Sequence, residues 1–243
     1  MQVFTCTHSP AVLLSSAMET DSRAKLLEAA ARVYAESGFR GATTRRIADE
    51  AGVNEVTIFR HFGSKAALID EAVRSGAATP PRARPRLPEQ PEDPERELTA
   101  WCSAHLEHLR ARRSLIRKAM SEMEERPQSV PCATEPALCA AVELREYMRR
   151  LEAHGFVHWE NCRPGERNEL AHAAGAMLMN AIFADAMARE VMPELYPQPA
   201  DRAPAMYVRL FLCAIGVVEP PRRTSGARRK GAGPRHLPST SKR

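Results

Sequence analysis

Apolar residues first recur with helical spacing after Asp21 and Ser22, either of which can cap a helix N-terminus. Over residues 23–37, Leu26, Leu27, Ala30, Ala31, Val33 and Tyr34 repeat at three and four positions, so one stripe of a helix faces a core. Gly38 then suits a left-handed C-terminal cap. A short second helix is predicted over 43–51, capped by Thr43. A tight break at Gly52-Val53 and a third short helix over 55–62, preceded by Asn54, come next. Ile47, Ala51, Val53, Ile58 and Phe62 are the candidate core residues of this segment. A fourth helix is predicted from Ser64 through Leu68, Ile69, Ala72 and Val73 to about Arg74. Residues 1–20 show no lasting periodicity and read as a disordered extension before a folded unit at 21–75.

Beyond that unit the pattern is interrupted by Pro80, Pro81, Pro85, Pro88, Pro91 and Pro94, which mark residues 76–93 as an extended linker. Helical patterns resume at about 94–111, 113–125, 135–154, 164–192 and 200–218, separated by Pro-containing breaks. The stretches 171–187 and 206–218 are the most apolar. No strand pattern competes, so the expected fold is all-α: a three-helix helix-turn-helix domain followed by a second helical domain at 94–219.

Two short helices joined by a glycine-containing turn have the spacing of a helix-turn-helix, whose second helix enters the major groove. The run Gly41-Ala-Thr-Thr-Arg-Arg-Ile-Ala-Asp-Glu-Ala-Gly-Val-Asn-Glu-Val-Thr-Ile-Phe-Arg-His-Phe-Gly-Ser-Lys65 closely resembles the DNA-binding signature of TetR-type (tetracycline-repressor-like) one-component transcriptional regulators. The resemblance rests on the Ile47-Ala48 pair, the Ala51-Gly52-Val53 turn, the Phe59-Arg60-His61-Phe62 end of the third helix and Lys65. With the helix before it, the likeness covers residues 22–75.

Most protein–DNA hydrogen bonds go to phosphate and sugar, from hydroxyls, basic side chains and helix starts. Thr43, Thr44, Arg45, Arg60, His61 and Lys65 supply such groups, and the resemblance implies that positions like these clamp the DNA backbone. It also implies that the start of the recognition helix, here Asn54, Glu55 and Thr57, reaches base edges. Phe59 stands where a tyrosine is common, which leaves apolar packing on the backbone in place of a hydroxyl contact. Glu55 stands where lysine is frequent. A carboxylate cannot bind phosphate but can accept from the N4 amino group of cytosine, and the same residue also reads as a solvated charge favoured by the helix dipole.

Charge changes the picture at one end of the chain. The net charge is +5, yet Arg222, Arg223, Arg228, Arg229, Lys230, Arg235, Lys242 and Arg243 follow Glu219 with no acidic residue among them, leaving −3 for residues 1–219. The stretch 220–243, rich in Gly, Pro and Ser, reads as a disordered basic tail. Two readings stay open for it: a non-specific DNA contact, or a solubilising extension. No apolar run approaches the ~18 residues of a membrane span, and Ala11 to Leu14 is too short and lacks the preceding basic residue of a secretory signal. A cytoplasmic protein without membrane partner is expected. Cys6, Cys102, Cys132, Cys139, Cys162 and Cys213 form no C-x-x-C pair, which disfavours zinc and disulfides alike.

The resemblance further implies that the second domain senses a small molecule and that its last two long helices pair with those of a second copy. The expectation is therefore a homodimer on a near-palindromic double-stranded DNA operator, acting as a repressor released by an unknown effector. Trp101, Met120, Met123, Tyr147, Met177 and Phe183 are candidate pocket residues, with Leu109, Leu144 and Met187 beside them, since Met and aromatics suit adaptable apolar binding. The same residues at helical spacing also read as ordinary core. His105 and His108 lie one turn apart, and His154, His158 and Cys162 cluster later, but no local third ligand completes a zinc site, so neither metal nor cofactor is expected. An enzyme is disfavoured by the lack of G-x-S-x-G, phosphate-loop and H-E-x-x-H motifs. A constitutive architectural DNA binder without ligand is the remaining alternative.

Overall fold

The structure, a computed structural model, describes residues 10–76, 85–157, 163 and 165–217, with side chains from Thr20 onward. The basic tail, residues 1–9, much of the Pro-rich segment, His158 and Cys162 lie outside the described residues. Among those described, the chain is helical throughout, with a single isolated bridge between Val157 and Val217.

Helix α1 runs over Pro10–Gly41, with a break at Gly38. It begins before the expected start at Arg23, and the expected disorder of residues 1–20 does not hold for 10–20. Asp21 and Ser22 sit inside the helix here, and Pro10 occupies its first turn, where a missing N–H costs nothing. Helices α2 (Thr44–Ala51), α3 (Val56–Phe62) and α4 (Lys65–Ser75) follow. Leu26, Ala30, Val33, Ile47, Ile58, Leu68 and Ile69 are fully buried together and form the core of this unit.

Asp93 caps α5 (Pro94–Ala111) by accepting from the Arg96 N–H at 3.1 Å, with Pro94 in the first turn. Helix α6 (Arg113–Ser121) ends earlier than expected, and α7 (Val130–Ala153) starts earlier, with Pro131 in its first turn, where a missing N–H is tolerated, and Pro136 inside it. The last two helices, α8 (Arg167–Ala188) and α9 (Ala203–Ala214), are also shorter than the periodicity implied. Part of the Pro-rich connection is tied down. Leu87 is buried, its N–H donates to Glu143 Oε1 at 3.0 Å, and Arg150 Nη1 donates to the Leu87 carbonyl at 3.1 Å.

The second core gathers Leu98, Trp101, Leu144, Tyr147, Leu151, Ile182, Val208 and Ile215 from α5, α7, α8 and α9. A buried charge cluster crosses it. Asp185 on α8 is fully buried and accepts from Arg110 on α5 (2.9 Å), from Tyr207 on α9 (2.8 Å) and from Arg189 Nε (2.8 Å). Burial alone would raise this carboxyl, but the hydrogen bonds from Arg189, Tyr207 and Arg110 outweigh it and hold Asp185 below its ordinary value.

Helix α8 also corrects one expectation: by length and composition it is long and apolar enough to cross a membrane. Its Ala, Leu, Ile, Met and Phe residues are spread around the helix and raise its hydropathy on all sides. It packs against α5, α7 and α9 on one side and leaves Leu170 and Met177 exposed on another.

Candidate nucleic-acid interface and ligand cavity

The first surface is built from the start of α2, the outer face of α3 and the start of α4. Thr43 is extended (φ −75°, ψ 149°), so its Oγ1 accepts from the Arg46 N–H at 3.2 Å and fixes the first turn of α2. Thr43 and Arg45 are exposed there and Thr44 is half-buried. Arg46 instead turns back to Glu36 at 2.6 Å. Asn54 Oδ1 accepts from the Val56 N–H at 2.9 Å and so starts α3, leaving its amide donors as the groups that can face a partner.

Along α3, Ile58 and Phe62 turn toward the core, whereas Val56, Phe59 and Arg60 share the outer face at i, i+3 and i+4. Glu55, Thr57 and His61 are half-buried beside them. Val56 is 71% exposed, more than Phe59 at 51%. The sequence reading passed over Val56, yet an exposed valine between capping and basic residues is itself a signal, because an apolar group there can meet a thymine methyl. Lys65 is placed differently from its neighbours. Its Nζ donates to the Phe39 carbonyl at 2.8 Å and lies 4.1 Å from the Phe39 ring centre, so it ties the start of α4 to the end of α1.

Phe39 is also where the two halves of the molecule meet. Its N–H donates to both carboxylate oxygens of Glu122, at 3.1 and 3.3 Å, and the Arg126 guanidinium lies 3.7 Å from its ring centre. Arg126 donates to Asp70 on α4 at 3.0 Å, and Ser129 Oγ donates to the same oxygen at 2.9 Å. Burial, followed by a hydrogen bond to Glu122, pushes the Tyr34 hydroxyl well above its ordinary value. Gly38 is required at this contact. Its φ is 69°, and a side chain there would overlap Glu122 and Lys118.

The second feature is a cavity of about 910 Å³ walled by α5, α6, α7 and α8, at the upper end of the range for small-molecule sites. Of the candidate pocket residues, Met120, Met123 and Phe183 line it, as do Leu109 and Leu144. Trp101, Tyr147 and Met177 do not. Trp101 packs on His105 with ring centres 3.9 Å apart, and the buried Tyr147 donates its hydroxyl to Glu97 at 2.5 Å, so both belong to the core around α5. Met177 is 71% exposed on the far side of α8. The lining that sequence reasoning missed is cationic: Arg112, Arg145, Arg149 and Arg167. His105 and His108, weighed earlier only as metal ligands, line the cavity too.

With the geometry in place, comparison with known proteins is informative. The family described as "Bacterial regulatory proteins, tetR family" matches residues 26–72. The HTH-type transcriptional repressor AcnR of Corynebacterium glutamicum is 44% identical over 59 residues, 24% of this chain and 31% of AcnR. The repressor KstR2 of Mycobacterium tuberculosis is 46% identical over 52 residues, 21% of this chain and 26% of KstR2. The likeness thus spans less than a third of those relatives' length. The HTH-type regulator YvkB of Bacillus subtilis is 27% identical over 138 residues, covering 56% of this chain and 71% of YvkB. A TetR-family regulator from Mesorhizobium loti superposes with a TM-score of 0.61 at 19% identity, over 82% of this chain and 98% of that one. A second, from Rhodococcus sp., gives 0.59 at 13% identity, over 81% and 98%. These structures share the fold.

Proposed function

We propose, from the match of residues 26–72 to the family described as "Bacterial regulatory proteins, tetR family", that the chain is a non-enzymatic transcriptional repressor. In this reading it acts in the cytoplasm as a homodimer and leaves its operator when a small molecule fills the α5–α8 cavity. The observation that carries the reading is the outer face of α3, where Val56, Phe59 and Arg60 project together beside the capped starts of α2 and α4. Thr43, Thr44, Arg45, Arg60, His61 and Lys65 hold phosphates, while Asn54, Glu55, Val56 and Thr57 read base edges.

Dimerisation through α8 and α9 is supported by their uncovered apolar residues, Leu170 and Met177 on one and Met206 and Leu210 on the other. Two recognition helices then enter successive major grooves about 34 Å apart on a near-palindromic site. Release requires the effector to prefer the conformation that cannot bind DNA, with a coupling of ~1–3 kcal/mol. Helix α6 lines the cavity, and Glu122, the residue that ends it, is joined through Phe39 to the end of α1 and, through Lys65, to the start of α4.

Incubating the purified full chain with a random duplex pool and sequencing the retained fragments tests the reading. A near-palindromic consensus is expected, with a dimer in sedimentation; fragments without a common sequence would refute it.

A further inference from the structure

Among the described side chains of residues 20–76, the exposed large hydrophobic residues are Val56 and Phe59, three positions apart on the outer face of α3. Elsewhere this unit turns its aliphatic side chains inward, Ile47, Ile58, Leu68 and Ile69 among them. The two therefore form a paired feature of one face, unlike the single apolar residues scattered over any protein surface.

Neither packing nor local stability accounts for a valine at position 56. The core contacts of α3 are made by Ile58, which is fully buried, and by Phe62. A β-branched residue is also a weaker helix former than the alanine or long straight side chains that suit an exposed helical position. What Val56 offers is a rigid apolar knob. Its χ1 has one strongly preferred rotamer in a helix, and its N–H is held by Asn54 Oδ1 at 2.9 Å, so its two methyl groups have little freedom left to lose on contact.

The two apolar residues have different neighbours. Phe59 is followed by the basic Arg60 and His61, which suit phosphate. Val56 stands among Asn54, Glu55 and Thr57, whose amide, carboxylate and hydroxyl groups suit base edges. Of the four bases, thymine alone places a methyl group in the major groove; a valine set against a donor or acceptor there leaves that group unpaired.

We propose that Val56 reads a thymine C5 methyl at one position in each half of the operator, while Phe59 packs on the sugar–phosphate backbone without selecting a base. This deepens the preceding reading and rests on it. Burying one methyl group against Val56 is worth about fourfold in affinity, hence about 15-fold over the two halves of a symmetric site.

The test starts from the consensus duplex that the full chain retains from a random pool. Its symmetry-related thymines are replaced, one pair at a time, by deoxyuridine, which removes the methyl and keeps every hydrogen-bonding group. Competition binding at fixed salt is expected to show one thymine pair whose replacement costs about 15-fold. At that pair 5-bromodeoxyuridine, whose bromine has about the size of a methyl, should restore the affinity. Val56→Ala keeps the fold, alanine being the better helix former. It should lower the affinity for the thymine duplex to the wild-type value for the uracil duplex and remove the penalty for uracil. Phe59→Ala should weaken both duplexes alike and keep the ratio between them. A consensus without thymine, indifference to uracil at every thymine, or a penalty that survives Val56→Ala or vanishes in Phe59→Ala would overturn the proposal while leaving a sequence-specific regulator in place. Retained fragments without a common sequence would sink the regulator reading, and this inference with it.

Discussion

The helix-turn-helix unit and the second helical unit are built from the same kind of element, yet they are held together by different means. In the first, α1 and three short helices cover a core of mostly small and aliphatic side chains, Ala30, Ile47, Ile58, Leu68 and Ile69, and Thr43 and Ser64 serve as caps at its edge. In the second, longer helices leave about 910 Å³ unfilled and are joined across their core by buried charge centred on Asp185. The empty space in the second costs packing contacts along the cavity, and the Asp185 cluster offsets part of that by locking α5, α8 and α9 together beside it.

Removing the charge cluster should produce the largest effect. Asp185→Ala leaves Arg189 buried without its counter-charge and is expected to cost ~3–5 kcal/mol, read as a lowered Tm. Asp185 also sets a pH dependence. Its folded-state pKa is depressed, so its contribution is fully present above the unfolded carboxylate value of about 3.9 and is lost as pH falls through the folded value. Wild type should therefore lose stability more steeply than Asp185→Asn as the pH drops below about 4; parallel curves would show that the cluster does not hold the domain.

Ile58→Ala empties the centre of the other core and is expected to cost ~2–5 kcal/mol. It should abolish DNA binding at temperatures where the second domain still shows its far-ultraviolet helical signal. If both regions melt together at every denaturant concentration, they form one cooperative unit through α6, whose Leu115 belongs to the first core.

Glu55→Ala should change base preference at one operator position, by ~1–3 kcal/mol of discrimination, in competition binding against single-base variants. A uniform change across all variants would make Glu55 a helix-start charge only. The smallest effect is expected of Lys65→Ala. Loss of its bond to the Phe39 carbonyl should cost ~0.5–1.5 kcal/mol of stability, and loss of its charge should lower the salt slope of DNA binding by ~1 on all sequences alike. An altered base preference would mean that Lys65 faces the groove.

Much of the first unit was legible because its determinants are local. Thr43, Asn54 and Ser64 each receive a nearby backbone N–H, and the i, i+3, i+4 apolar stripe of α1 needs no knowledge of its partner. Less of the cavity was legible. Met120, Met123 and Phe183 were singled out as adaptable apolar residues, but so were Trp101 and Tyr147, because burial in a core and burial against a ligand leave the same pattern in a sequence.

By itself, then, the sequence determined that the chain is helical, where α2, α3 and α4 start and which short helix carries the exposed face of the helix-turn-helix unit. All of these depend on contacts within a few residues of the chain. Only the tertiary structure decided which side of α8 faces the cavity. Met177 points outward and Met179 lines the pocket two residues later, on a helix so uniformly apolar that no polar face marks the difference. It alone also brought Arg112 onto the last turn of α4 and Lys65 onto Phe39. A long basic side chain reads as solvated surface in any sequence; what buries it is an unpaired carbonyl at the end of a distant helix, and the chain's spacing carries no record of that encounter.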